Sequence, residues 1–94
     1  MSQGKATWKP IDDHDAREAP QSREDLPDSA FAFPRQRKEP LTDGTHVVNA
    51  IARFNQVEDV SDEDKDLAFA NIKKAASHYG VTVQEDSWRE LSDQ

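Results

Sequence analysis

The chain contains no cysteine, only three glycines and a single methionine. It also has no apolar run approaching the roughly 20 residues of a membrane span. Without cysteine there is no disulfide to staple the fold and no thiolate to hold a metal, so helix packing must do the stapling. That absence fits a reducing compartment. The first residues, MSQGKATWKPIDDHD, lack the apolar centre of a secretory signal, and a cytoplasmic location is expected. Positive charge is scarce too: 12 Lys and Arg against 19 Asp and Glu give a net charge of −7. Sequence-independent binding to nucleic acid needs a surplus of cations to displace counterions, so that class is disfavoured. No internal repeat or glycine-rich phosphate loop is present.

What remains is enough for one small domain. Ninety-four residues at 34% hydrophobic and 33% charged bury only a modest core. Residues 1–25 mix Lys5, Lys9, Arg17 and Arg23 with six carboxylates and two prolines. Too little apolar surface is there to offset the entropy of ordering, so residues 1–25 are expected to be a disordered acidic tail. Its two sizeable hydrophobes, Trp8 and Ile11, are expected to stay loose rather than dock. Residues 26–91 should form the small helical domain, with residues 92–94 a disordered C-terminus.

Residues 26–41 are punctuated by Pro27, Pro34 and Pro40, which exclude a central helix and favour extended backbone. Within them Phe31 and Phe33 alternate with Ala30 and Ala32, as in a strand with one apolar face. With no evident partner strand, this stretch is expected to lie across the helices as a strap. Thr42 or Asp43 can cap a first helix, and Val47, Ala50, Ile51 and Phe54 recur at offsets of three, four and seven, which defines its core face. His46, Asn49 and Arg53 share a neighbouring face. Ser61 followed by Asp62, Glu63 and Asp64 is a strong start for a second helix. Its stripe is Ala68, Phe69, Ile72, Ala75, Ala76 and Tyr79, with Asn71, Lys74 and His78 assigned to the other side. Gly80 suits a left-handed C-terminal cap. Beyond it, the segment Val81 to Val83 is expected as an extended return, with a pairing to residues 30–33 weakly supported. Ser87 and Glu90 match a capping box, placing Trp88 and Leu91 on a last helical turn that closes the core.

LPDSAFAFP, then Arg37, Lys38, Pro40 and Leu41, then Asp43, His46, Val47, Asn49, Ala50 and the run Ala52, Arg53, Phe54 together resemble a small domain of unknown function found in actinobacterial and phage-associated proteins. The likeness runs through FANIKKAASHYGV, over roughly residues 26–83. It carries no activity. Some relatives are appended to proteins resembling phage head-maturation proteases, which implies an accessory or assembly role. Where the family pattern often has a basic residue after His-Val, this chain has Val48, which argues against a basic cluster around His46 as the site.

Three chemistries have residue types present in the chain. Catalysis by His46 would need a nucleophile such as Ser29, an orienting group and oxyanion donors, and this constellation is missing; a hydrogen bond to the preceding strap is the plainer role, with a hydrolase a long shot. His14, His46 and His78 show no metal-ligand spacing, and neither a metal nor a cofactor is expected. Arg35, Arg37 and Lys38 beside Phe31 and Phe33 have the residue types for nucleic-acid contact, yet Asp28, Glu39 and the acidic second-helix start can pair with them instead. Arg53 is expected to pair with Asp43 or Asp28.

The fold expected is therefore mostly α: a small helical hairpin clasped by an N-terminal extended segment, with a short C-terminal helical turn. Its expected function is non-enzymatic protein–protein interaction or assembly. The candidate partner-binding residues are Phe31, Phe33, Arg35, Arg37, Lys38, His46, Asn49 and Arg53. The alternative is a nucleic-acid-associated accessory protein using Arg35, Arg37 and Lys38. A monomer or weak homodimer is expected, away from membranes.

Overall fold

A computed structural model describes residues 6–10 and 26–91. Among the described residues the fold is mostly α, with two helices and a two-stranded sheet. In order, a 3-10 turn at Asp28–Ala30 leads into β1 (Phe31–Phe33) and β2 (Lys38–Pro40); α1 (Gly44–Arg53) runs on into a 3-10 turn at Phe54–Gln56; α2 (Asp62–Tyr79) follows, and a last 3-10 turn spans Trp88–Glu90.

Residues 26–41 are not a lone strap. They fold back on themselves, with β1 antiparallel to β2 and Phe31 opposite Pro40, Phe33 opposite Lys38. The Leu41 N–H donates to the Ala30 carbonyl at 2.8 Å and prolongs the ladder. Two non-glycine residues of the hairpin sit at positive φ, Arg37 at the end of the turn (φ 55°) and Glu39 within β2 (φ 57°). Each sits in the left-handed region, which costs an L-residue about 1–2 kcal/mol. Burial of β1 holds them there: Phe31, Ala32 and Phe33 are all buried. Residues 30–33, expected to lack a partner strand, find one locally, and residues 81–85 form no strand.

α1 begins where Asp43 accepts the His46 backbone N–H at 2.8 Å, satisfying a donor that the first turn leaves unpaired. α2 opens on a full capping box: Ser61 Oγ accepts from the Asp64 N–H at 3.1 Å, and Asp64 Oδ2 accepts from the Ser61 N–H at 3.2 Å. It closes at Gly80, φ 75°, with the Gly80 and Val81 N–H groups both directed to the Ala76 carbonyl.

The core lies between the helices and the inner face of the hairpin. Phe54 is its centre, with ring centroids 5.5 Å from Phe33, 6.0 Å from Phe69 and 6.2 Å from Trp88. Val47, Ala50, Ala68, Ile72, Ala75 and Ala76 are buried as the helical spacing requires, whereas Ile51 and Tyr79 pack on the core only partly buried. Leu26, Ala30 and Phe31 make a second, smaller cluster.

Trp8 corrects the expectation of a loose segment. It is 1% exposed and belongs to the main core, so the domain takes in at least residues 6–10. Ile11 and the remainder of residues 11–25 lie outside the described residues, as do residues 92–94. No helix among the described residues is long and apolar enough to cross a membrane.

Candidate functional site

Two features stand out once the core is subtracted: a polar clamp inside the fold and the outer face of α1. The clamp is Asn71, assigned to the solvent side from its spacing with Lys74 and His78. It is 0% exposed and the one buried polar residue among those described. The physical reason is in the same numbers: position 71 is also three after Ala68 and four before Ala75, on the edge of the buried stripe. Its Oδ1 accepts the N–H groups of Thr7 at 2.7 Å and Trp8 at 2.8 Å. Its Nδ2 donates to the Ala32 carbonyl at 2.9 Å and to Thr7 Oγ1 at 3.3 Å. All four bonds available to the amide are made, so burial leaves no polar atom of the side chain unpaired.

Trp8 sits beside the clamp. Its indole N–H donates to the Leu41 carbonyl at 3.0 Å, and its ring lies 5.6 Å from His78 and 5.8 Å, edge-on, from Tyr79. The Lys9 N–H donates to the Ser29 carbonyl at 3.1 Å. Residues 7–9 are thereby tied to the turn before β1, to β1 itself, to the residue after β2 and to α2.

The eight residues expected to meet a partner are divided by the fold. Phe31 and Phe33 are buried and present no ring to a partner in this state; Phe31 is covered by Arg37, whose guanidinium lies 4.7 Å from its ring centroid. Arg37 also pairs with Asp28 at 2.5 Å and donates to the Leu26 carbonyl. Arg35 lies 3.5 Å from Asp64, and Lys38 donates to the Glu58 carbonyl at 3.2 Å. The basic run is therefore distributed over protein acceptors. The acidic helix start takes up one of its cations, because Asp64 also receives Gln36 Nε2 at 2.9 Å. Hydrogen bonds from the Ser61 backbone, then from Gln36, hold the Asp64 carboxyl below its ordinary range.

His46, Asn49 and Arg53 are all exposed on α1. His46 Nδ1 lies 2.8 Å from Asp43 Oδ1 and 3.2 Å from Thr42 Oγ1, so the imidazole is bonded to the two residues that join the hairpin to the helix. The His46 backbone N–H, then its side chain, pulls the Asp43 carboxyl below its ordinary value. Tyr79 is pushed up by burial and by the Asp43 charge. Arg53, expected to pair with Asp43 or Asp28, makes no ion pair among the described residues. It lines an open depression of about 390 Å³ with Lys38, Glu39, Gln56, Val57 and Glu58. On the same helix Val48, 52% exposed, is the one large hydrophobe left in solvent among the described residues. No group of three or more metal-ligating side chains lies together among them.

The stretch that builds the clamp, both helices and the hairpin also decides the family. Residues 7–86 match a family of unknown function (DUF6582). The chain belongs to this family. The matched region starts at Thr7, so the docked segment lies within the family's domain rather than ahead of it. No curated protein and no solved structure matches the chain. The sequence signals missed were Asn71, read on the wrong face, and Val48, whose exposure follows from its place between Thr45 and Ala52 on the side of α1 away from Val47 and Ala50.

Proposed function

We propose that this DUF6582 chain is a non-enzymatic accessory domain, acting in the cytoplasm, that binds a protein partner on the outer face of α1. In this reading the helical hairpin and its docked N-terminal segment are a small rigid scaffold, and Val48, Asn49 and Arg53 are presented outward with His46 at one end and the depression beside Lys38 at the other. The observation that carries it is Val48, an exposed valine on the same helix as Arg53, which has no ion-pair partner among the described residues. An apolar contact and, elsewhere on the same helix, a cation that can take a carboxylate have the composition of a small interface centre with a polar rim. The complementary partner is an acidic segment bearing one apolar side chain. His46 serves as a helix-start bond rather than a base.

The alternative based on Arg35, Arg37 and Lys38 loses force because each of the three already bonds to the protein. The test immobilises the full chain beside Val48→Asp and Arg53→Glu, both on exposed positions. The reading expects a partner retained by the wild type, lost by both variants and unaffected by Arg35→Ala. A partner retained equally by all, or a salt-sensitive retention of nucleic acid abolished by changing Arg35, Arg37 and Lys38 to Ala, overturns it.

A further inference from the structure

The Asn71 clamp recognises residues 7 and 8 in the manner of a peptide-binding site. It takes two successive backbone N–H groups on one oxygen, an arrangement that a regular strand, whose successive N–H groups point to opposite sides, does not offer. It reads a hydroxyl on the first residue and, through Leu41, an indole N–H on the second. The His78 and Tyr79 rings, 4.7 Å from each other, together line the slot against the indole. These are the ingredients of peptide recognition, in which main-chain bonds give affinity and a side-chain pocket gives selectivity. Every one of these contacts is non-covalent, and seventeen residues of sequence separate Trp8 from Leu26, so no bond adjacent to the slot fixes which chain supplies the occupant.

We propose that this slot is a binding site for a Thr-Trp segment, filled here by the chain's own residues 6–10 and able to take the same segment from a second copy. Within one chain the tether gives the segment a high effective concentration, so the intramolecular arrangement prevails when both parts are intact. The second-copy arrangement emerges when one chain has lost its own occupant and another its own slot. The contacts are identical in the two arrangements, so exchange forfeits none of them.

The test uses full-length chains. Trp8→Ala is titrated with the peptide KATWKP, the sequence of residues 5–10, while its thermal midpoint is followed. A saturable rise is expected, absent with a scrambled peptide. Peptide affinity should fall by roughly 2–10-fold when the threonine is changed to valine, the size of one hydroxyl hydrogen bond. If Trp8→Ala alone is unfolded, recovery of its helical circular dichroism on adding peptide is the same result, and Trp8→Phe supplies a milder second variant. Trp8→Ala is then mixed with Asn71→Ala, whose segment is released and whose slot is spoiled. A 1:1 heterodimer in sedimentation, formed by neither variant alone, is expected. No response to millimolar peptide, an equal response to the scrambled one, or monomers throughout the mixing series overturns the proposal.

Discussion

Replacing Asn71 by alanine tests the clamp because two independent routes bound its cost. If the rest of the structure stays in place, the buried Trp8 N–H and the Ala32 carbonyl lose their partners, while the exposed Thr7 is rescued by water. Two unsatisfied buried groups at about 1–3 kcal/mol each give roughly 2–6 kcal/mol. If instead the N-terminal segment lifts off, those groups are hydrated but the 1%-exposed Trp8 ring leaves the core, a loss on the scale of a Trp→Ala change, about 3–5 kcal/mol. The chain takes the cheaper route, so the loss should fall near 2–5 kcal/mol, a large share of the roughly 5–10 kcal/mol available to a domain of this size. Both routes converge on the same released segment, and this fixes the result of a double-mutant cycle. Trp8→Ala with Asn71→Ala should cost less than the sum of the single losses by at least about 1 kcal/mol. Urea unfolding followed by far-ultraviolet circular dichroism measures all four corners. Asn71→Ala within about 0.5 kcal/mol of wild type, or losses that simply add, refutes the reasoning.

Ile72→Ala, at a fully buried position, should cost about 2–5 kcal/mol in the same assay, and Ile51→Ala distinctly less because that side chain is only partly buried. Gly80→Ala should cost about 1–2 kcal/mol from backbone strain at φ 75° alone, since an added Cβ meets nothing within 4 Å. Asp43→Ala should cost about 0.5–2 kcal/mol at neutral pH through loss of the α1 cap. Asp43 and Asp64 both have carboxyls depressed below the ordinary 3.8, so their contribution is fully present above that value and is lost as pH falls through the folded-state values. Acid titration of Asp43→Ala should accordingly show a shallower loss of stability on acidification than the wild type; an identical slope contradicts this.

Both helices were legible because their ends carry side chains with one physical use: Asp43 and Ser61 as caps, the acidic run at positions 62–64 on the dipole, and Gly80 where a left-handed residue is required. The spacing of Val47, Ala50 and Phe54 placed one core face, and Ala68, Ile72, Ala75 and Ala76 the other. The β-hairpin was not legible, because its reversal at residues 34–37 uses Arg37 at positive φ instead of the glycine or asparagine that marks such turns. Trp8 was misplaced because composition averages over residues 1–25, while docking depends on one large ring and on an amide 63 positions away. Of the candidate site, His46, Asn49 and Arg53 were found on the exposed face of α1 by spacing alone. The burial of Phe31 and Phe33, and the dispersal of Arg35, Arg37 and Lys38 over separate acceptors, required the tertiary structure.

Closure of the domain by its N-terminal segment is the central claim, and amide hydrogen exchange at Thr7 and Trp8 tests it most directly. Both N–H groups are bonded to Asn71 Oδ1. They should therefore exchange with protection factors comparable to that of the Leu41 N–H in the hairpin, and lose that protection in Asn71→Ala. Exchange of Thr7 and Trp8 at the rate of an unstructured peptide, in a wild-type chain whose α2 amides are protected, contradicts the account.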